Sequence, residues 1–160
     1  MRPRDGLTDE IAAQTYPDRA MIVDQMMPYS AGRRILAVIA AWLVPGAGHL
    51  VLGRLGRALL FFVTIVGAFA LGLALHGRLF WPTPNETQLF PYYDLITVLW
   101  FFAQIGSGLC YIVSYALGLG ANPMPEAATF EYGNTFMFLA GLLNYLVMHD
   151  AFDIGAGRKR

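Results

Sequence analysis

Four apolar runs, each long enough to cross a bilayer, constrain this chain more than anything else in it. They cover Ile35 to Gly53, Ala58 to Leu75, Leu95 to Leu119 and Thr135 to Phe152. A helix needs about 20 mostly apolar residues to traverse the hydrocarbon core. A lipid-embedded segment must also satisfy its own backbone N–H and C=O groups, which leaves helices or a closed barrel. The runs lack the period-two alternation of barrel strands. The expected fold is therefore an all-α membrane protein with four transmembrane helices, a kinked first helix and a short N-terminal tail. Composition agrees: 56% of residues are apolar and 14% charged, against about 25% charged in soluble domains. The formal net charge of zero leaves no electrostatic footprint for nucleic acid.

The connectors divide the chain into a polar tail at residues 1–32, a helical hairpin at 33–78, a Pro- and aromatic-rich connector at 79–94, and a second helical pair with a basic C-terminus at 95–160. Pro82, Pro84 and Pro91 forbid helix in the third piece. Trp81, Tyr92 and Tyr93 suit headgroup depth there. In the tail, Thr8 to Thr15 and Asp18 to Met27 are short helical candidates split by Pro17. The second could lie on the membrane surface or remain loosely ordered. No apolar stretch of signal-peptide length follows Arg2 and Arg4, so the tail is expected to be retained.

Orientation follows from Lys and Arg close to the spans. With four crossings, Arg33, Arg34, Arg78, Arg158, Lys159 and Arg160 fall on one side, and Arg54 and Arg57 on the other. That balance puts both termini in the cytoplasm. It also places Asp150 and Asp153 in one charge layer with Arg33, Arg34 and Arg78, as neutralising neighbours at the headgroups.

Polar residues at membrane depth are functional candidates. Gln104 lies well inside the third run and Asn144 well inside the fourth. Both are amides with donors and an acceptor, so they are expected to meet near mid-membrane, with Ser107 as an alternative partner. They would serve either as interhelical hydrogen-bond glue or as a ligand site. Gly106-Ser107-Gly108 has the outline of an intramembrane serine nucleophile, but His49, His76 and His149 all fall near span ends, out of reach as a base. His149 and Asp153 share a helix face with Asp150 beside them. Two ligands are too few for a dedicated metal site, and a charged helix end is the simpler reading. Four crossings also put His49 and His149 at opposite faces, which separates them as ligands of a bound haem. Cys110, the single cysteine, reads as a packing residue. No cofactor is expected.

The most specific local pattern is Pro45-Gly46-Ala47-Gly48-His49 followed by Gly53-Arg54. Proline removes a helix hydrogen bond and bends the axis, and small residues let backbones approach. The stretch from Ala41 to Arg54 resembles the first helix of the TM-two domain family, in which a similar Pro-Gly element joins a pair of helices. Leu50 and Val51 stand where the family carries an aromatic residue. The acidic-basic-aromatic triplet of its animal members is absent, so their receptor-like roles do not carry over. Further along, Gly133-Asn134-Thr135-Phe136, Gly141-Leu142-Leu143-Asn144 and Asp150-Ala151-Phe152-Asp153 resemble an uncharacterised bacterial family of small four-span membrane proteins. That resemblance implies a membrane location and four helices but no particular activity; the expected location is the bacterial inner membrane.

These observations lead to the expectation of a non-enzymatic protein embedded in the lipid bilayer. It would serve as an accessory subunit, assembly factor or scaffold, with a membrane-protein partner or a second copy of itself. A small transport or ligand-binding protein acting as an oligomer is the alternative. The candidate structural or partner-contact residues are Pro45, Gly46, Gly48, His49, Gly53, Gln104, Ser107, Asn144, Asp150 and Asp153.

Overall fold

The computed structural model describes residues 28–82 and 95–159. The two helical candidates in the N-terminal tail lie outside these residues, as does most of the 79–94 connector. Six helices and no strands are present among the described residues: α1 Ala31–Leu43, α2 Ala47–Val51, α3 Leu55–Ala74, α4 Leu95–Ile105, α5 Leu109–Ala116 and α6 Phe130–Gly155.

Two of them, α3 and α6, are long and apolar enough to cross a membrane. With 20 and 26 residues, they extend about 30 and 39 Å at 1.5 Å per residue, against a hydrocarbon core of about 30 Å. They pack antiparallel. Gly72 and Gly77 meet Gly133 with no room for a Cβ, while Phe61 and Ile65 lie across a groove from Val147 and Asp150. Small residues at such crossings let helices gain dispersion contacts where lipid offers no hydrophobic driving force. Between the helices sits a core of Ile65, Phe69, Tyr111, Met137, Ala140 and Val147. Large apolar side chains such as Leu59, Leu60, Val63, Leu99 and Leu146 point outward, as a lipid-facing surface requires.

The other two apolar runs are interrupted, so among the described residues two helices, or three if the bent pair of α4 and α5 counts as one span, are long and apolar enough to cross, where four were expected. The first run holds α1, a break at Val44, Pro45 and Gly46, and the short α2. The break is a reversal, more than the expected kink. Ser30 caps the start of α1 by accepting from the Arg33 N–H. Helix α1 then runs inward for 13 residues, about 20 Å. Pro45 has no N–H to continue the helix, and Gly46 takes a left-handed conformation, φ 82°, that favours glycine. After this turn the chain comes back. Gly48 packs on Ala37 and Ala41, the Arg33 guanidinium donates to the Val51 carbonyl at 2.9 Å, and the Tyr29 hydroxyl donates to the Leu52 carbonyl at 3.3 Å. The start of α1 and the end of α2 therefore share one end of the molecule, the near end. Gly155 lies there too, accepting from the Tyr29 N–H at 3.0 Å.

The third run behaves alike from the opposite side. Helix α4 runs alongside α6, with Trp100 against Phe138 and Gly106 against Gly141 and Tyr145. The axis then bends by 113° into α5. Helix α5 returns toward the far end: the Tyr111 hydroxyl donates to the Phe80 carbonyl, Tyr115 stacks on Trp81, and Gly120 reaches Gly77 and Leu79. The architecture is two long apolar helices flanking two bent helix pairs that enter from opposite ends of the molecule and meet tip to tip.

Candidate functional site

Irregular backbone at membrane depth is tolerated only where protein or a water-filled cavity satisfies it. The meeting point of the hairpin tips is therefore where polar groups have to be accounted for. Asn144 lies near the middle of α6, about 17 Å from its Gly155 end. Its amide nitrogen donates to the Ala41 carbonyl at 3.0 Å and the Gly106 carbonyl at 2.8 Å, with the Trp42 carbonyl at 3.4 Å. One side chain thus holds the C-terminal end of α1 and the corner after α4. The Trp42 indole N–H adds a second tie, donating to the Ile105 carbonyl at 3.2 Å. Gly108 completes the seal. Its φ is 62°, and a Cβ there would sit on the Trp42 carbonyl oxygen. Asn144 is fully buried, and its Oδ1 has no hydrogen-bond partner.

Gln104 is equally buried but does not pair with Asn144, contrary to expectation. Its amide clamps the extended segment after α3, donating to the Arg78 carbonyl and accepting from the Phe80 N–H, both at 2.9 Å. Asn134 accepts from the Arg78 N–H at 2.8 Å. Tyr111 takes the Phe80 carbonyl at 2.6 Å. These three side chains play the part of a neighbouring strand for residues 78–80. Asn134 and Tyr111 were not among the sequence candidates, because nothing local marks a residue whose partner is another segment's backbone. Ser107 spends its hydroxyl on the Gln104 carbonyl at 2.7 Å, a local turn bond.

At the near end a second polar cluster joins the first hairpin to α6. His49, fully buried on α2, places Nε2 3.0 Å from Asp150. Its ring packs on Phe61, and its Nδ1 has no partner. Lys159 folds back from the C-terminus to lie 3.2 Å from Asp150 and 3.6 Å from Asp153. The Asp150 carboxylate holds the Lys159 ammonium above the ordinary lysine pKa of 10.5. Arg158 lies 3.5 Å from Asp153.

This cluster corrects two expectations. The acids pair with Lys159 and Arg158, and not with Arg33, Arg34 or Arg78. His49 is also at the same end as His149, because the chain reverses at Pro45 where a crossing was expected. His149 itself lies 3.2 Å from the Tyr145 carbonyl through Nδ1, and Asp153 is engaged by the C-terminal cations, so the two are not turned toward a common ion. Of the other candidates, Pro45, Gly46 and Gly48 build the hairpin tip and its return arm. Gly53, at φ 77° with open space around it, turns the chain into α3.

Among known proteins, a family described as a family of unknown function, DUF6677, matches residues 36–160. No curated protein and no solved structure matches the chain.

Proposed function

We propose that this chain, which belongs to that family of unknown function, DUF6677, is a non-enzymatic accessory or scaffold protein of a bacterial inner membrane. It would act through its lateral surface. The observation that carries this reading is the closed junction at mid-depth: Asn144 gathers the carbonyls of both hairpin tips, and Gly108 packs against Trp42 without a gap. A centre filled in this way favours a rigid body that other membrane components lean on. The stretch with TM-two likeness then serves as tip and return arm of the first hairpin, holding α2 against α6 through His49 and Asp150.

Orientation fits the same reading. The reversal at Pro45 brings Arg54 and Arg57 to the end that carries Arg33, Arg34, Arg158 and Lys159, leaving Arg78 alone at the other among the described residues. Cytoplasmic loops are enriched in Lys and Arg, so on this reading the near end, which carries Tyr29 and Lys159, faces the cytoplasm. This is a stronger asymmetry than four crossings would give.

The second reading, a small transport or ligand-binding protein acting as an oligomer, has one observation in its favour. Broken helices meeting near the midplane are where transporters place substrate, and Asn144 Oδ1 is buried there without a partner. Gentle detergent extraction followed by mass determination and identification of co-purifying species separates the two. A stoichiometric membrane-protein partner supports the scaffold. A homo-oligomer carrying a small solute overturns it in favour of the alternative.

A further inference from the structure

The groove between α3 and α6 has about 540 Å3 of accessible space. Its walls are Leu60, Phe61, Ile65, Leu143, Leu146 and Val147, with His149, Asp150 and Lys159 at its mouth. Its height is informative. Leu143 adjoins Asn144 at mid-depth, and Asp150 is about 11 Å further toward the near end. The groove therefore occupies one leaflet of a hydrocarbon core about 30 Å thick. A groove confined to one leaflet matches the reach of an acyl chain better than that of a helix crossing both leaflets. A lipid acyl chain extends through one leaflet and ends at a headgroup.

Charge selects among lipids. At the near end, Arg33, Arg34, Arg54, Arg57, Arg158 and Lys159 face only Asp150 and Asp153 among the described residues, an excess of four positive charges (six minus two). Lys159 has three N–H donors. One donates to Asp150 at 3.2 Å, Asp153 lies 3.6 Å away, and the side chain is 54% exposed, so a donor remains to meet a phosphate. Arg158, 69% exposed, stands beside it. The purely apolar pocket around Pro45 and Phe62 has no such mouth.

From these features the geometry points to a specific site for an anionic phospholipid of the near-end leaflet, with one acyl chain in the α3–α6 groove and the phosphodiester at Lys159 and Arg158. The C-terminal turn after Gly157, φ 72°, is then the element that brings the cations over the groove mouth.

Native mass spectrometry of the detergent-purified full chain tests this, using phosphatidylglycerol and phosphatidylcholine of identical acyl chains. One phosphatidylglycerol per protomer should be retained about fivefold better than phosphatidylcholine, the factor expected of a single Lys or Arg near an anionic headgroup. Lys159→Gln should reduce that preference, Lys159→Gln together with Arg158→Gln should abolish it, and Lys159→Arg should keep it. Leu143→Trp, which fills the groove, should lower retention of both lipids, with circular dichroism showing unchanged helix content. Equal retention of the two lipids by the wild-type protein overturns the proposal, as does an undiminished preference in Lys159→Gln. A photo-cross-linking residue at Leu146 that captures a protein helix in native membranes, and no phospholipid, overturns it as well.

Discussion

Replacing Asn144 by Leu is the most direct test of the tip-to-tip architecture. The two side chains are similar in size, so the substitution leaves packing largely intact and removes the hydrogen bonds. Three carbonyls lose their donor, those of Ala41 and Gly106 at short distance and that of Trp42 at 3.4 Å. Side-chain hydrogen bonds within membranes average about 0.6 kcal/mol and reach about 1.7. A buried polar group left without a partner costs about 1–3 kcal/mol. Against this, the substitution also deletes Oδ1, which has no partner in the native fold. That returns part of one such penalty. The net expectation is a loss of about 1–3 kcal/mol. Reversible unfolding in mixed micelles by denaturing detergent, followed by circular dichroism, would measure it. Hydrogen exchange should rise locally at residues 41–46 and 105–108, because these tips lose their common anchor. A stability change below about 0.5 kcal/mol, with exchange unaltered at both tips, would refute the role of Asn144 as the joint between the hairpins.

Cysteines introduced at Arg54 and Lys159 should react with an impermeant thiol reagent from the same side of the membrane, and one at Ala121 from the other. Labelling of positions 54 and 159 from opposite sides would overturn the arrangement with two spanning helices. Gly108→Ala should destabilise by about 3 kcal/mol or more, since the new methyl meets the Trp42 carbonyl in a backbone conformation reserved for glycine; a thermal midpoint equal to wild type would contradict the sealed junction. Gln104→Leu should loosen residues 78–80 in hydrogen exchange and leave residues 41–46 protected, because its partners are Arg78 and Phe80 alone. The clasp of Lys159 on Asp150 should hold at neutral pH. The raised lysine pKa makes its contribution present below 10.5 and lost as pH climbs above that value through the raised pKa, so protease sensitivity of the C-terminal turn should be unchanged between neutral pH and 10.5 and increase above it.

The sequence by itself determined the helical class, the membrane environment and the positions of the breaks. Apolar run length and the absence of alternation require helices in lipid, and Pro45 with Gly46 had to interrupt the first run. It also marked Gln104 and Asn144 as inward-facing, since neither amide could remain in contact with acyl chains. Whether an interrupted run continues across the bilayer or turns back was decided only by tertiary structure. Both outcomes use the same number of apolar residues and present the same hydropathy. They differ in where the free carbonyls at the break find donors. Here Asn144 and Trp42 supply those donors from segments distant in the chain, and Gly108 allows the opposing corner to come close enough to share them. The fate of Arg54 and Arg57 followed from that reversal, as did the pairing of His49 with Asp150. A crossing would have carried each of them to the other face, whereas the returning hairpin leaves them beside the C-terminal cations, because a half-depth helix pair brings its chain back to the side it entered.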